Sequence, residues 1–303
     1  MPVLFHCPSC KALLSSEVLA PASEFKCSCG GWSVREGALA DFVRSQPASE
    51  DAAQSAYFRD RYHERWRREQ AAFDGDARHD RYRAICFKKV RAHAVAGARV
   101  LEVGSCLGHF LKQLPADVDA HAVDLSTGNL QYLRETWADE RLGTRLWNAS
   151  IDRLPFADGQ FDVVYAFSVL WYVRNWPEAV AELARVTRRD GLVVFDVYNA
   201  YSIWRQWESM YARIRRALQP VSDGIATYYA WPTRLSGILT KAGFQTSVEG
   251  YYTLLPTTLP PFGTHGQLAQ RSDTLAFSLA QTPLRWTGAK LLYAGRRAAG
   301  NLL

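Results

Sequence analysis

The sequence lacks the features of membrane-spanning and extensively disordered chains. Its 303 residues include only 20 glycines and 13 prolines, too few for extended disorder. No apolar run approaches the ~18 residues that a membrane-spanning helix needs, and no internal repeat or low-complexity tract is present. The start, MPVLFHCPSC, has neither the basic segment nor the apolar stretch of a signal peptide. We therefore expect a globular protein that stays in the cytoplasm.

A strong charge of one sign is also missing. The formal net charge of +6 is a weak indication of acidic partners such as nucleic acid, phosphorylated substrates or a membrane surface. Solubility alone explains a charge of this size, and we favour that explanation. The apolar share of 48% and the charged share of 22% are ordinary for a globular protein. The length fits one large domain or a core with a small appendage.

The middle of the chain, residues 98–199, alternates strand-like and helix-like segments. Short apolar runs occupy 98–103, 121–124, 161–167 and 191–197. Between the last two, residues 177–186 place apolar side chains on one helix face and a proline at the helix start. Strands that alternate with helices predict a parallel sheet covered on both faces. Two later pieces, 243–250 and 290–296, are predicted to be the last two strands.

A glycine-containing turn follows the first of these strands. Gly104 and Gly108 can take positive φ and let a ligand approach the backbone. The helix start that follows the turn favours a carboxylate or phosphate group. Asp124 ends the second strand, roughly 20 residues after the glycines, where an acidic side chain can accept hydrogen bonds from ribose hydroxyls. These features fit either a dinucleotide or S-adenosylmethionine (SAM), since both present such a ribose.

The third strand separates the two interpretations. Residues 152–164, DRLPFADGQFDVV, closely resemble the "LPF-x-DG-x-FD-x-V" stretch of the methyltransferase type 11 group, and the match continues to Val193. Over about 100 residues the chain is thus similar to class I SAM-dependent methyltransferases. This resemblance implies an α/β, Rossmann-like methyltransferase domain over 98–303, with the strand order 3-2-1-4-5-7-6. It implies that 243–250 and 290–296 form an antiparallel pair at the edge of the sheet. It also implies a cap insert at about 200–232, which is rich in aromatic residues.

The resemblance assigns the cofactor site position by position. Glu102 would hold the SAM amino group, the glycine turn would face the methionine part, and Asp124 would bind the ribose. Two positions depart from the family pattern: Cys106 replaces the middle glycine of the turn, and Ser150 stands where an aspartate often contacts adenine. The predicted cofactor-binding residues are Glu102, Gly104, Ser105, Cys106, Gly108, Asp124, Leu125, Ser150, Ile151, Phe167 and Ser168.

Four of the six cysteines lie in the first 44 residues, as CPSC at 7–10 and CSC at 27–29. Four thiolates at this spacing suit a tetrahedral structural zinc ion. Residues 32–42 resemble the end of Trm112-like zinc ribbons, which occur fused ahead of methyltransferase domains. We therefore expect a ribbon at 1–44; a vestigial ribbon held by packing alone is the alternative. Cys86 and Cys106 are expected to be buried thiols. The predicted zinc ligands are Cys7, Cys10, Cys27 and Cys29.

The sequence gives weaker evidence for the acceptor site than for the cofactor and zinc sites. Residues 45–97 begin as a polar linker, and the segment from Tyr57 resembles helices that cover SAM in the family. Its arginines could contact an anionic substrate or nucleic acid, but we favour a solvated helix face. The aromatic residues of the insert are candidates for an acceptor pocket, although packing on the core explains them equally well. The candidate catalytic residues are Tyr172, His109 and His265 as general bases, and Asn199 as a substrate contact.

Three functions are compatible with these features. The first is methylation of a small molecule, mainly on an oxygen of a glycan, lipid-linked or secondary-metabolite acceptor. The second is methylation of a ribosomal RNA base, which the ribbon and the basic region 57–91 favour, although no base-stacking module accompanies them. The third is a non-catalytic partner protein, favoured only by the changes at Cys106 and Ser150. The oligomeric state is left open.

Overall fold

The computed structural model describes residues 3–7, 9–14, 25–27, 29, 32–36, 39–43, 52–64, 77–136, 145–202, 206–207, 209–210, 213, 225–251 and 278–298. Its strands are β1 (Phe5–His6), β2 (Leu13–Leu14), β3 (Phe25–Lys26), β4 (Trp32–Glu36), β5 (Leu39–Asp41), β6 (Arg99–Val103), β7 (Asp119–Asp124), β8 (Leu146–Asn148), β9 (Phe161–Ala166), β10 (Thr187–Tyr198), β11 (Phe244–Tyr251) and β12 (Lys290–Arg297). Its α-helices are α1 (Ala52–Asp60), α2 (Ala77–Arg91), α3 (Thr127–Thr136), α4 (Trp176–Val186) and α5 (Pro232–Lys241).

One large sheet contains ten of these strands in the order β11-β12-β10-β9-β6-β7-β8-β5-β4-β3. From β8 to β10 the neighbours are all parallel, and β12 lies antiparallel between β10 and β11. Counted from β6, the seven strands of the main domain follow the order 3-2-1-4-5-7-6. The predicted fold class and strand order are therefore confirmed, including the antiparallel pair at the edge.

The core lies on both faces of this sheet. Consecutive side chains of a strand point to opposite faces, and Val163 and Val164 of β9 accordingly belong to different clusters. Val163 packs with Tyr82, Cys86 and Phe87 of α2. Val164 lies in the cluster that contains the buried residues of α4 and α5. A strand buried on both faces needs a nearly continuous apolar run, which is the pattern the sequence shows. Within the described part of the chain, no helix is long and apolar enough to cross a membrane.

The N-terminal segment extends the sheet. β5 pairs parallel with β8, with Ala40 opposite Trp147 and Asp41 opposite Asn148, and β4 and β3 follow outward. Phe5, 1% exposed, packs against Phe42, Trp147 and Phe156 at ring-centroid distances of 4.9 to 6.0 Å. The ribbon and the main domain thus share one core. The boundary at residue 44 stays a prediction, since that position lies outside the described residues.

Candidate active site

A cavity of about 380 Å³ lies where β6, β7, β8 and β9 end. In open parallel sheets, ligands bind at this carboxyl edge. Segments from four strands and from α1 and α2 line the cavity. All the predicted cofactor residues line it except Gly108: Glu102, Gly104, Ser105, Cys106, Asp124, Leu125, Ser150, Ile151, Phe167 and Ser168.

The turn after β6 depends on three residues with positive φ: Gly104 at 76°, Cys106 at 48° and Gly108 at 72°. A Cβ atom on Gly104 would lie 2.2 Å from Cγ2 of Val169, so only glycine fits there. Cys106 takes the left-handed conformation at the position where the family has glycine. Such a conformation is uncommon for residues with a side chain. Because Cys106 nevertheless adopts this conformation, the replacement of glycine by cysteine leaves the course of the backbone unchanged.

Asp124 ties this turn to the end of β7. One carboxylate oxygen accepts a 2.7 Å hydrogen bond from the backbone N–H of Cys106, and the other accepts bonds from the Ser126 N–H and the Asn129 amide. Burial raises the pKa of Asp124, while these hydrogen bonds favour its ionised form. The carboxylate lines the cavity, where ribose hydroxyls would have an acceptor.

Of the two acidic residues Glu102 and Asp124, Glu102 has the more strongly raised pKa. Its side chain is buried and accepts a 3.1 Å hydrogen bond from the Tyr165 hydroxyl. Burial raises the pKa of Glu102 well above its usual range, and the nearby Asp124 raises it further. A cation bound beside Glu102 would stabilise the ionised form. The position therefore suits an ammonium group such as that of SAM.

The variant Glu102→Gln should make the ligand-free protein more stable and weaken cofactor binding. Because the pKa of Glu102 is higher in the folded than in the unfolded chain, the stability that this carboxyl supports is lost as pH rises towards the folded pKa. At neutral pH the variant should gain on the order of 1–3 kcal/mol, and the gain should vanish below about pH 4. Its affinity for S-adenosylhomocysteine (SAH) should fall about 10- to 100-fold.

Urea denaturation at several pH values and calorimetric titration with SAH measure these two effects. A variant that is less stable at neutral pH, or that binds SAH as tightly as the wild type, would contradict the role given to Glu102.

Helix α1 closes one side of the cavity. Gln54 donates hydrogen bonds to the backbone oxygens of Tyr172 and Ala226 and accepts one from the Ala226 N–H. The Phe58 ring lies 5.0 Å from the Tyr172 ring and 4.9 Å from the Tyr62 ring, centroid to centroid. The resemblance of the segment from Tyr57 predicts a covering helix here but assigns no cofactor contact to it. Phe58 and Tyr62 of that segment line the cavity, as does Gln54, which belongs to no motif.

The candidate catalytic residues occupy different places. Tyr172 and His109 line the cavity. Asn199 does not; it is fully buried, and its amide donates to the backbone oxygens of Trp286 and Gly288 at 2.7 and 2.8 Å. His265 lies outside the described residues. The structure thus places Tyr172 and His109 beside the predicted cofactor and Asn199 in the packing between β10 and the C-terminal segment.

The aromatic insert does not reach the cavity in its described parts. Trp207 and Trp231 are exposed, and Tyr228 packs against the core while its N–H donates to the Trp171 oxygen. Among the insert's aromatic residues that the structure describes, none lines the cavity. Trp204 and Tyr211 lie outside the described residues. The cap remains a prediction.

The four N-terminal cysteines converge. The sulfur atoms of Cys7, Cys10, Cys27 and Cys29 all lie within 4.8 Å of one another. Cys7 and Cys29 are separated by 3.6 Å and Cys10 and Cys27 by 3.4 Å, sulfur to sulfur. A tetrahedral zinc ion with Zn–S distances of about 2.3 Å needs sulfurs about 3.8 Å apart. The cluster therefore fits a structural zinc ion despite the shortened second motif.

Cys10→Ser should remove the metal and destabilise the ribbon. A structural zinc ion contributes folding free energy directly, and we expect a loss of about 3 kcal/mol or more. Elemental analysis should find one zinc per wild-type chain and none in the variant, with a lower midpoint of unfolding. The neighbouring variant Ser9→Ala is the control. If Cys10→Ser kept the stability of the wild type, packing alone would hold the ribbon.

The ribbon also supports the loops behind the cavity. The Phe42 N–H donates to the backbone oxygen of Asn148, whose amide in turn donates to the backbone oxygens of Asp124 and Leu125. The His6 N–H donates to the Pro155 oxygen. These bonds join the ribbon to the ends of β7 and β8. Hydrogen bonds from the ribbon thus hold the strand ends that line the cavity.

An ion pair on α4 joins the same elements. The carboxylate of Glu182 accepts hydrogen bonds from Lys11, Arg185 and the Leu154 N–H. Arg185 also donates to the backbone oxygens of Leu154 and Phe156. The Leu-Pro-Phe segment recognised in the sequence is therefore the point where α4, the ribbon and the cavity loops meet.

Comparison with known proteins agrees with this arrangement. Residues 101–195 match the family model described as "Methyltransferase domain". This stretch runs from β6 into β10 and contains Glu102, the glycine turn and Asp124. The fold is the Rossmann-like fold of class I methyltransferases, and residues 101–195 are similar to that methyltransferase domain family.

Two curated relatives match part of the chain. One is a malonyl-[acyl-carrier protein] O-methyltransferase of Pectobacterium atrosepticum, 34% identical over 103 residues, which covers 34% of this chain and 39% of the relative. The other is a demethylmenaquinone methyltransferase of a Parafrankia species, 32% identical over 156 residues, covering 45% of this chain and 61% of the relative. The chain thus spans less than two thirds of either relative.

Solved structures show the same fold over more of the chain. A chain from the complex between the Haloferax volcanii Trm112 methyltransferase activator and a methyltransferase matches with a TM-score of 0.55 at 17% identity, covering 81% of this chain and all of that chain. Magnesium protoporphyrin IX methyltransferase of Synechocystis PCC 6803, solved with bound SAH, matches with a TM-score of 0.54 at 14% identity, covering 82% of this chain and all of that chain. At these identities the likeness shows the fold alone.

Proposed function

We propose that this chain is a SAM-dependent methyltransferase that methylates an oxygen of a small-molecule acceptor, such as a glycan, lipid-linked or secondary-metabolite compound. One observation carries the proposal: residues that the sequence assigned to SAM, at the ends of four separate strands or in the segments that follow them, line a single cavity. The matched domain supports the activity. The name of the Pectobacterium relative, an O-methyltransferase, supports oxygen as the acceptor atom.

Each part of SAM would meet a different group of residues. Glu102 would pair with the ammonium group, and Asp124 would accept hydrogen bonds from the ribose. Ser150 and Ile151 would lie along the adenine, and Phe167 near the methionine end. When bound, SAM supplies an electrophilic methyl group on its sulfonium.

The chain's contribution to methyl transfer is mainly positioning. A nucleophile held in line with the methyl group at near-attack distance gains most of the rate, and α1 with Tyr172 encloses this side of the cavity. A hydroxyl acceptor must also lose a proton. Burial raises the pKa of Tyr62 far above its usual range, so Tyr62 is a poor base at neutral pH. Tyr172 and His109 are the described candidates that line the cavity.

Transfer of a radiolabelled methyl group from SAM to a panel of acceptors tests the proposal. The panel contains sugars, lipid-linked sugars, acyl carrier-bound acids, phenolic metabolites and ribosomal RNA fragments. We expect labelling of one small-molecule class, with SAH formed in equal amount. Labelling of RNA alone, with binding that falls steeply as salt rises, would favour the RNA function instead. Tight SAH binding without transfer to any acceptor would favour a non-catalytic role.

A further inference from the structure

We propose that Arg83, on α2, binds the carboxylate of the methionine part of SAM. This inference rests on the proposed function and adds a SAM-binding residue that belongs to none of the sequence motifs. Arg83 lines the cavity and its side chain is 13% exposed. Its buried Nη1 atom has no hydrogen-bond partner among the residues that the structure describes. Asp80 is an ion-pair partner at 3.7 Å, beyond hydrogen-bonding distance, and is itself half exposed.

A buried guanidinium nitrogen without a partner is costly, and a bound anion would satisfy it. Guanidinium groups match carboxylates with two parallel hydrogen bonds. A second unpaired atom belongs to a residue of the same cavity: the hydroxyl of Ser105, in the glycine turn, is buried and has no partner within the described part of the chain. Two residues that line the cavity predicted to hold the cofactor thus each carry a buried polar atom that is unpaired among the described residues.

The position of Arg83 relative to the turn supports a carboxylate at this point. Burial raises the pKa of the Cys106 thiol, and Arg83 is among the charges that oppose this rise, so its guanidinium acts on the turn electrostatically. Glu102 lies at the start of the same turn. Arg83 and Glu102 thus supply one positive and one negative group, which matches the carboxylate and ammonium of an amino acid.

Tyr82, which precedes Arg83 on α2, is held by a hydrogen bond to β10. The Tyr82 hydroxyl donates a 2.7 Å hydrogen bond to Asp196 of β10, and Asp196 also accepts from the Ser168 N–H at the end of β9. Asp196 is fully buried. This link holds α2 against the strand ends that line the cavity, so Arg83 is presented from a fixed element.

The variant Arg83→Met tests the assignment with two ligands. SAH carries both the ammonium and the carboxylate; S-adenosyl-3-thiopropylamine keeps the amine and lacks the carboxylate. We expect the variant to bind SAH about 10- to 100-fold more weakly than the wild type and to bind the amine analogue unchanged. Glu102→Gln should weaken both ligands. Arg81→Met, an exposed arginine on the same helix that does not line the cavity, is the matched control.

Other outcomes overturn the assignment. Equal weakening of both ligands would mean that Arg83 acts on the fold or on the adenosine part. Unchanged binding of both ligands, with a raised KM for the acceptor, would mean that Arg83 binds an anionic acceptor. Failure of the wild type to bind either ligand would instead refute the proposed function. Thermal unfolding of each variant separates lost contacts from lost structure.

Discussion

Gly104→Ala should abolish measurable SAH binding and destabilise the protein by roughly 2–5 kcal/mol. Two costs combine at this position. The backbone has φ of 76°, which an L-residue with a Cβ adopts only at a cost. The new Cβ would also lie 2.2 Å from Cγ2 of Val169, so the turn or the loop after β9 must move. Both segments line the cavity. Urea denaturation and calorimetric titration with SAH measure the two effects.

Gly97→Ala separates these two costs. Gly97 has a similar φ of 73°, but a Cβ there would meet no atom within 4 Å. This control should lose only about 1 kcal/mol and keep SAH binding. Adding Val169→Ala to Gly104→Ala should recover part of the stability by removing the clashing methyl group. If Gly104→Ala behaved like Gly97→Ala, the close approach at the turn would be absent in solution.

Phe5→Ala should destabilise the whole protein by about 3–5 kcal/mol, the usual cost of removing a buried phenylalanine ring. Phe5 is 1% exposed. Its ring contacts Trp147 of β8, the strand that pairs with β5, and Phe156 in the Leu-Pro-Phe segment. Because that segment continues from the loop at Ser150 and Ile151, we also expect weaker SAH binding. Denaturation followed by tryptophan fluorescence, together with SAH titration, measures both effects.

The matched control is Leu13→Ala, also in the ribbon, because Leu13 is 62% exposed. This variant should change stability by no more than about 0.5 kcal/mol. A Phe5→Ala protein in which the ribbon melts separately, while the main domain keeps its stability and its SAH affinity, would show that the two parts do not share a core.

The sheet could be predicted because it depends on short-range patterns, whereas the resemblance to a known family supplies the predicted cofactor residues, ten of which line the cavity. A strand buried on both faces requires a continuous apolar run, and the turn at Gly104 requires glycine. The pairing of β5 with β8 could not be predicted this way. It joins residues about 100 positions apart, such as Ala40 and Trp147, and nothing in either short segment specifies its partner.

The same limit explains why Asn199 does not line the cavity and why two residues that do line it, Gln54 and Arg83, belong to no motif. Asn199 follows β10, where substrate contacts are common, but the returning C-terminal chain brings the Trp286 and Gly288 oxygens to its amide. Gln54 and Arg83 lie on helices that precede β6, the first strand of the main domain. Their part in the cavity depends on how those helices pack, which no local motif encodes.

Calorimetric titration with SAH is the decisive measurement for this protein. We expect saturable binding of one SAH per chain, weakened in Glu102→Gln and undetectable in Gly104→Ala. An absence of heat and of any thermal shift with SAH, in a wild-type protein shown to be folded and loaded with zinc, would contradict it.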